Sequence, residues 1–348
     1  MNLRSRFGEP DPTPAVVLAE GEFGEPGGKT AHGVVMHSEL FEAAVVVDSG
    51  TAGTTADEVL ENPSVDPIPV VASVADALER APEAEALVIG VAPAGGDLPE
   101  SWIDGIRAAM RAGCDVVSGL HVFLSEREEW AAFAAETGVD LYDVRKPPAE
   151  DDLRVADGSV DDVDADVVLT TGTDCAVGKR TTAFELYRAA RRVGRDAAWV
   201  ATGQTGIMVG AHRGVVIDRV PADFAAGVVE DLVTDVAADH EIVFVEGQAS
   251  LAHRAYSGVT LSILHGCWPD AVVVADDPAR SERTHYEQWP VAGLEREIDL
   301  IERLSDATVA AVSTWGDPDE ASARDLPAAN VYRDGGPERL LEAVTDAL

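Results

Sequence analysis

Lysine is almost missing from this chain: Lys29, Lys146 and Lys179 stand against 23 arginines and 63 acidic residues in 348. The formal charge is −37. A surface this acidic repels polyanions, which excludes nucleic acid and anionic membranes as partners. It also repels itself, and the compact state gains from salt that screens the repulsion. We read the acid surplus and lysine scarcity together as a halophile's cytoplasmic protein. Cysteine is scarce too. Cys114, Cys175 and Cys267 show no metal or disulfide spacing, as expected in a reducing compartment. No apolar run reaches the roughly 18 residues a membrane span needs. The first residues are polar and charged where a secretory signal would be apolar. Yet 46% of the chain is hydrophobic, too much for a disordered acidic polymer.

A chain of 348 residues exceeds the roughly 250 that one core usually serves, so two domains are expected. Strand-like apolar runs alternate with helical segments through residues 1–150. They start at Ala15–Ala19, Ala43–Asp48 and Ile68–Ala72 and continue at Ala86–Val91 and Asp115–Ser118. That alternation predicts a parallel sheet covered on both faces, a Rossmann-like half. The acidic run over residues 151–166 reads as a solvated linker. The alternation then restarts over residues 167–348. The expected fold class is α/β, with two doubly wound parallel-sheet domains, the second like a P-loop NTPase.

The second half opens on Val168-Leu169-Thr170-Thr171-Gly172-Thr173-Asp174-Cys175-Ala176-Val177-Gly178-Lys179-Arg180-Thr181-Thr182. An apolar strand enters a Gly-containing turn, then Gly-Lys, then a helix. This order aims backbone N–H groups and a helix N-terminus at one point, where a phosphate can sit. Residues 172–181 are therefore the expected cofactor-binding loop: Gly172, Thr173, Asp174, Cys175, Ala176, Val177, Gly178, Lys179, Arg180 and Thr181. The usual pattern puts a Mg²⁺-binding hydroxyl directly after the lysine. Arg180 stands there instead, and Thr173 replaces the first glycine. The loop is built to hold phosphates and is less suited to Mg-ATP. Cys175 is either a nucleophile activated by the helix N-terminus or a small filler of the loop.

Ligands of open parallel sheets bind beyond the C-terminal ends of strands. Four such ends carry polar, Gly-flanked loops, at Thr171–Arg180, Gly203–Gly206, Glu246–Ser250 and Asp276–Tyr286, and we expect them to form one cleft. Glu246 ends an apolar strand, where it can bind a metal, take a proton from an amine, or accept hydrogen bonds from nearby loops. His253 and Tyr256 lie in a loop where no packing rule demands them. His265 sits on a half-apolar helix, as a catalytic group or as a packed, hydrogen-bonded one. Arg145 and Lys146 can bind a carboxylate, or simply flank Pro147 at the surface.

Several segments carry a family resemblance. They are Gly90-Val91-Ala92-Pro93-Ala94-Gly95-Gly96, Gly119-Leu120-His121, Asp143-Val144-Arg145-Lys146-Pro147-Pro148, Gly172 to Lys179, Gly203-Gln204-Thr205-Gly206 and Tyr256-Ser257-Gly258-Val259-Thr260-Leu261. Together they resemble the DgcN-type D-glutamate N-acetyltransferases, members of a larger family long filed as a domain of unknown function. The resemblance implies acetyl transfer from acetyl-CoA, as co-substrate, to the amine of D-glutamate, with no metal required. The base candidates are Glu246, His253 and His265. Arg145, Lys146 and Arg254 are cations for an amino dicarboxylate, with Gln204, Ser250 and Tyr256 beside them. The expected partner is a small amino acid, and the expected assembly a homo-oligomer. The P-loop half alone also resembles dethiobiotin synthetase, through Gly172-Thr173-Asp174, Val177-Gly178-Lys179 and Glu246-Gly247. The alternatives are therefore an ATP-dependent ligase or kinase and a non-catalytic nucleotide-binding regulator.

The charge surplus generates a prediction. The melting temperature rises steeply between about 0.1 and 3 M KCl, as the Debye length falls from about 10 Å to a few ångströms. A flat melting curve across that range would refute the halophile reading.

Overall fold

A computed structural model describes residues 1–348 except 9, 94–95, 285, 320 and 322–323. The chain forms two compact units: residues 1–146 with 204–211, and residues 147–203 with 212–348.

The first unit is built on valine- and alanine-rich strands: β1 (Thr13–Leu18), β2 (Phe41–Val47), β3 (Val70–Val71), β4 (Ala86–Ile89), β5 (Asp115–Ser118) and β6 (Leu141–Asp143). Helices α1 (Lys29–His37), α2 (Ala56–Val59), α3 (Val74–Arg80), α4 (Glu100–Arg111) and α5 (Glu128–Thr137) lie between them. The strands pair in parallel in the order β3-β2-β1-β4-β5-β6. This is the doubly wound order of a Rossmann-like sheet, with its switch point between β1 and β4. Strands β4 and β5 are buried on both faces, as a covered parallel sheet requires. Asp48, just past the end of β2, is buried. Its carboxylate accepts from the Gly21 N–H at 2.7 Å and the Thr51 hydroxyl at 2.6 Å.

The second unit repeats the plan with β7 (Asp166–Gly172), α6 (Lys179–Arg192), β8 (Ala197–Ala201), β9 (Arg213–Gly214), α8 (Ala222–Ala237), β10 (Ile242–Glu246), α9 (Ser257–Cys267) and β11 (Ala271–Asp276). A hairpin follows, β12 (Glu282–Arg283) with β13 (Tyr286–Pro290), then α10 (Leu294–Leu304), β14 (Thr308–Thr314), β15 (Ala328–Ala329) and α11 (Gly336–Ala347). The seven-stranded sheet runs β15-β14-β11-β7-β10-β8-β9. The phosphate-loop strand β7 is thus central, between β10 and β11. Valines of these strands pack with Val229 and Val233 of α8, Ile263 of α9, and Ile298 and Ile301 of α10. No helix among the described residues is long and apolar enough to cross a membrane.

Two expectations change. Residues 204–206 are not a strand-end loop. They begin a short helix, α7 (Gln204–Val209), which packs in the first unit. Nor is the acidic run over 151–166 a free connector. Val160 and Ala165 enter the second core, and Glu230, wholly buried in the middle of α8, clasps the segment. Its carboxylate accepts from the N–H groups of Asp157 at 2.9 Å and Gly158 at 2.8 Å, and from Arg154 Nη1 at 2.8 Å. Gly227, one turn earlier, makes room: a Cβ there would come within 2.1 Å of the Arg154 carbonyl oxygen. The acid surplus hid this anchor, because a single buried acceptor cannot be told from its solvated neighbours by composition.

Burial would raise the Glu230 carboxyl, but the Asp157 and Gly158 N–H groups and Arg154 outweigh it and hold it below its usual value. The sign of the linkage follows. A depressed carboxyl contributes stability above its unfolded value, near 4.5, and loses it as pH falls through the folded value. Glu230→Gln flattens that acid limb. Glu230→Ala costs about 1.5–3 kcal/mol, the range for hydrogen bonds to a charged group. Urea titrations at neutral and acidic pH in high salt read both effects.

Candidate functional site

The loop between β7 and α6 is closed by its own backbone. Thr173 N–H donates to the Ala275 carbonyl at 3.0 Å, and Thr173 Oγ1 to Asp276 Oδ1 at 2.7 Å. Thr170 Oγ1 donates to the Lys179 carbonyl at 3.1 Å. Gly172 must be glycine, because a Cβ would sit 2.8 Å from the Ala275 oxygen. Ala176 and Gly178 both have left-handed φ, 53° and 100°. Such turns curl successive N–H groups to one side, as an anion-binding nest does. The first-turn N–H groups of α6, from Lys179 to Thr181, extend it, since a helix offers them no acceptor.

Lys179 is buried and donates through Nζ to the Asp174 carbonyl. Burial pushes its ammonium down to about 8. An anion in the loop would reverse that shift by favouring the charged form. Arg180 Nη1 is buried with no hydrogen-bond partner among the described residues, so the residue in the metal ligand's place holds a guanidinium nitrogen that finds no acceptor among them. Its charge is felt at Glu246, at the end of β10. The Glu246 carboxylate accepts from the Thr202 N–H at 3.3 Å, and its carbonyl from Thr202 Oγ1 at 2.6 Å. Burial, opposed by Arg180 and the Thr202 and Gly203 N–H groups, raises the carboxyl to about 7. That value suits a group that gives and takes protons at neutral pH.

Beside the loop lies a buried ion pair that inspection of the motifs missed. Arg283 Nη1 reaches Asp174 Oδ1 at 3.2 Å, with side chains 2% and 0% exposed. Arg283 also donates to Ser250 Oγ at 3.3 Å and, through Nη2, to the Ala252 carbonyl at 3.1 Å. The other Asp174 oxygen accepts the Thr284 N–H at 3.0 Å. Arg280 Nη1 donates to the Cys175 carbonyl at 2.7 Å. Four cations therefore gather at this loop in a chain of net charge −37. His253 is wholly buried against Tyr256, ring centroids 4.8 Å apart. Burial and the charge of Arg283 lower its pKa. Tyr286 stacks on Trp289 at 5.0 Å, and Arg254 lies over Trp289 at 4.7 Å. On the other flank, Trp315 and Tyr332 are 43% and 62% exposed. The Trp315 Nε1 lies 2.7 Å from where a Gly178 Cβ would be, and Tyr332 donates to Thr181 Oγ1 at 3.3 Å.

The expected residues divide. Glu246, Ser250, His253, Arg254, Tyr256 and the whole loop from Gly172 to Thr181 belong to the second unit, at the C-terminal ends of β7, β10 and β11. His265 does not join them. It lies in the last turn of α9, where Nε2 meets the Leu304 carbonyl at 3.0 Å. The helix carries it about two turns away from the Ser250–Tyr256 loop, and its ring is exposed and hydrogen-bonded there, apart from the other candidates. Arg145, Lys146 and Gln204 belong to the first unit. There Arg145 Nε donates to the Gly119 carbonyl at 2.9 Å, Lys146 pairs with Glu126 at 3.2 Å, and Gln204 donates to Thr30 Oγ1 at 3.0 Å. Ala94 and Gly95 of the Gly90–Gly96 motif, and His285 of the Asp276–Tyr286 loop, lie outside the described residues. A cleft of about 840 Å³ opens elsewhere, at the N-terminal ends of β7 and β10, and its lining includes the carboxylates Asp162, Asp164 and Asp196 with Arg195 and His240.

The Arg283–Asp174 pair generates a prediction. Arg283→Met removes the nearest charge partner of a buried carboxylate and leaves Arg280 at 3.7 Å, which costs up to about 3–5 kcal/mol. The measurement is the urea midpoint at fixed salt. A loss no larger than that of an exposed arginine would contradict the pairing.

Comparison with known proteins fits this geometry. A model described as "Domain of unknown function (DUF1611_C) P-loop domain" matches residues 154–341. One described as "Domain of unknown function (DUF1611_N) Rossmann-like domain" matches residues 49–147. A D-glutamate N-acetyltransferase of Tritonibacter scottomollicae is 39% identical over 221 residues, 64% of this chain and 65% of that protein. One from a Pseudoalteromonas species is 38% identical over 217 residues, 62% of this chain and 64% of that protein. The chain thus spans slightly under two thirds of the curated relatives it matches. A crystal structure of a DUF1611 family protein from Anabaena variabilis, 31% identical, covers 96% of this chain and 99% of its own, with a TM-score of 0.84. The chain therefore belongs to the DUF1611 family, with a Rossmann-like and a P-loop domain in one polypeptide.

Proposed function

We propose that this protein is an N-acetyltransferase that moves acetyl from acetyl-CoA to the amine of D-glutamate, without a metal, in the D-amino-acid catabolism of a halophile's cytoplasm. One observation carries the reading. A phosphate loop holds a guanidinium nitrogen without an acceptor among the described residues where a metal's hydroxyl ligand would stand, beside a carboxyl raised to about 7. CoA brings a pyrophosphate and a 3′-phosphate, needs cations and N–H donors, and has no developing phosphoryl charge for Mg²⁺ to neutralise. The names of the two curated relatives support the same activity.

In this reading Lys179, Arg180 and the loop N–H groups hold the CoA phosphates. Exposed Trp315 or Tyr332 offers a face to the adenine. Arg254 clamps a substrate carboxylate. Glu246 accepts the proton that the ammonium must lose before its nitrogen attacks the acetyl carbon.

The test is CoA release from acetyl-CoA with D-glutamate in molar KCl, with and without EDTA. Turnover survives EDTA, and kcat/KM rises with pH through about 7 as Glu246 ionises. Glu246→Gln lowers the rate about 10²–10⁴-fold, the usual contribution of a positioned base. Turnover that needs Mg²⁺ and ATP would put a ligase or kinase in its place. Tight nucleotide binding without turnover of any amine would make the protein a regulator.

A further inference from the structure

The phosphate loop carries a thiol that the scheme above leaves idle. The Cys175 sulfur, an Asp174 carboxylate oxygen and a His253 ring nitrogen lie within 4.8 Å of one another. Their exposures differ in a useful way. Asp174 and His253 are wholly buried, while Cys175 is partly exposed, open to a substrate.

His253 is the informative member. Its Nδ1 accepts the Ala255 N–H at 3.2 Å, so the neutral ring carries its proton on Nε2. Burial and the neighbouring Arg283 charge lower its pKa and keep that neutral form at pH 7. The buried Nε2 has no hydrogen-bond partner among the described residues. Asp174 Oδ1 is 3.8 Å away, beyond hydrogen-bond reach. Asp174 has no need of it, being held by Arg283 and the Thr284 N–H. A buried donor left unpaired is destabilising. The other member of the cluster, within 4.8 Å, is the sulfur of Cys175, beside which an oxygen can also form.

The charges around the cluster disfavour a bound metal. Arg283 and Arg280 lie 3.2 and 3.7 Å from the Asp174 carboxylate, and Lys179 sits on the Asp174 carbonyl. Cations and a helix N-terminus stabilise a thiolate. The same cations repel a divalent ion from the Asp174–Cys175–His253 cluster.

We propose that Cys175 is an acyl acceptor, charged as a thioester before the amine is acylated, with His253 Nε2–H donating to the sulfur or to the tetrahedral oxygen. The proposal rests on the acyl-transfer reading above. In the first step the Cys175 sulfur bonds to the carbonyl carbon of the donor thioester. The carbon–sulfur bond to the donor breaks, and the Cys175 proton ends on the departing thiol. In the second step the amine nitrogen bonds to the same carbon. The bond to Cys175 breaks, and the amine's proton returns to its sulfur. Nothing is oxidised or reduced, and the two thioesters are close in energy, so the acyl-enzyme can accumulate.

The experiment charges the full chain in high KCl with acetyl-CoA and, separately, with p-nitrophenyl acetate, a small ester that needs no phosphate site. The protein is then quenched in acid, digested and weighed. With no amine present, both donors put one acetyl group on the Cys175 peptide. Hydroxylamine removes it, and D-glutamate discharges the acetyl that came from acetyl-CoA. Buried Cys114, its thiol pushed up to about 11, and buried Cys267, pushed higher still, stay unlabelled. Cys175→Ala abolishes charging and lowers turnover by about 10²-fold or more, while CoA affinity by calorimetry stays within a few fold. His253→Asn slows charging. Should that variant not fold, alkylation of wild-type Cys175 with iodoacetamide provides the same block. Charging by p-nitrophenyl acetate but not by acetyl-CoA would refute the acetyl-CoA reading and leave the thiol assignment standing. A Cys175→Ala enzyme with wild-type turnover would overturn the assignment. So would the absence of label from both donors, or stoichiometric zinc that blocks labelling.

Discussion

The site depends on one buried contact, the Arg283–Asp174 ion pair. Three segments far apart in sequence meet there: the phosphate loop through Asp174 and Thr173, the loop after β10 through Ser250 and Ala252, and the β12–β13 hairpin that carries Arg283 itself. Such a pair is a poor source of net stability, because desolvating two charges offsets most of their attraction. What it supplies is position. Each Arg283 hydrogen bond has a fixed direction, and together they leave the Asp174 side chain little freedom. The environments of His253 and Cys175 follow from that.

Much of this was legible in the sequence, for identifiable reasons. The strands of both sheets are short runs of Val, Ala and Ile with turns at their ends, and burial on both faces makes such runs conspicuous. The phosphate loop is contiguous, so its chemistry lies within about ten residues. Glu246 was visible because it ends an uninterrupted apolar strand. Arg283 was not visible, since its partner is 109 positions away and nothing local separates it from Arg280 or Arg254. The place of His265 was not legible, because helical spacing puts a residue on a face without saying that it falls in the last turn of α9, against the Leu304 carbonyl. Gln204-Thr205-Gly206 looked like one more strand-end loop. Two of its three side chains are instead committed to Thr30, at 3.0 Å from Gln204 and 2.7 Å from Thr205.

The few cations are not spread evenly over the acidic surface. Lys179, Arg180, Arg280 and Arg283 collect at one loop. Others sit in clusters of carboxylates, as Arg324 does among Glu295, Asp299 and Glu302 and Arg154 among Asp157, Glu230 and Asp231. The exposed pairs among these contribute little individually. The field of a −37 chain pushes anions away until salt screens it, so a loop that must attract an anion needs its positive charge close and partly buried. Arginine serves this better than lysine, because its weakly hydrated guanidinium loses less on burial.

Helix α7 has a consequence for how the molecule is made. The chain leaves the second sheet after β8, supplies Gln204–Val209 to the first unit, and returns at β9. Within the first unit this helix joins α1 through Thr30 and Thr205, and the Val209 carbonyl accepts the Glu39 N–H at 2.8 Å. Residues 1–146 therefore lack a piece of their own core. Domains normally fold in turn from the N-terminus as the ribosome releases them. Here the last piece of the first unit emerges only after β7, the phosphate loop, α6 and β8. A ribosome that stalls between the halves leaves a nascent chain with neither half complete.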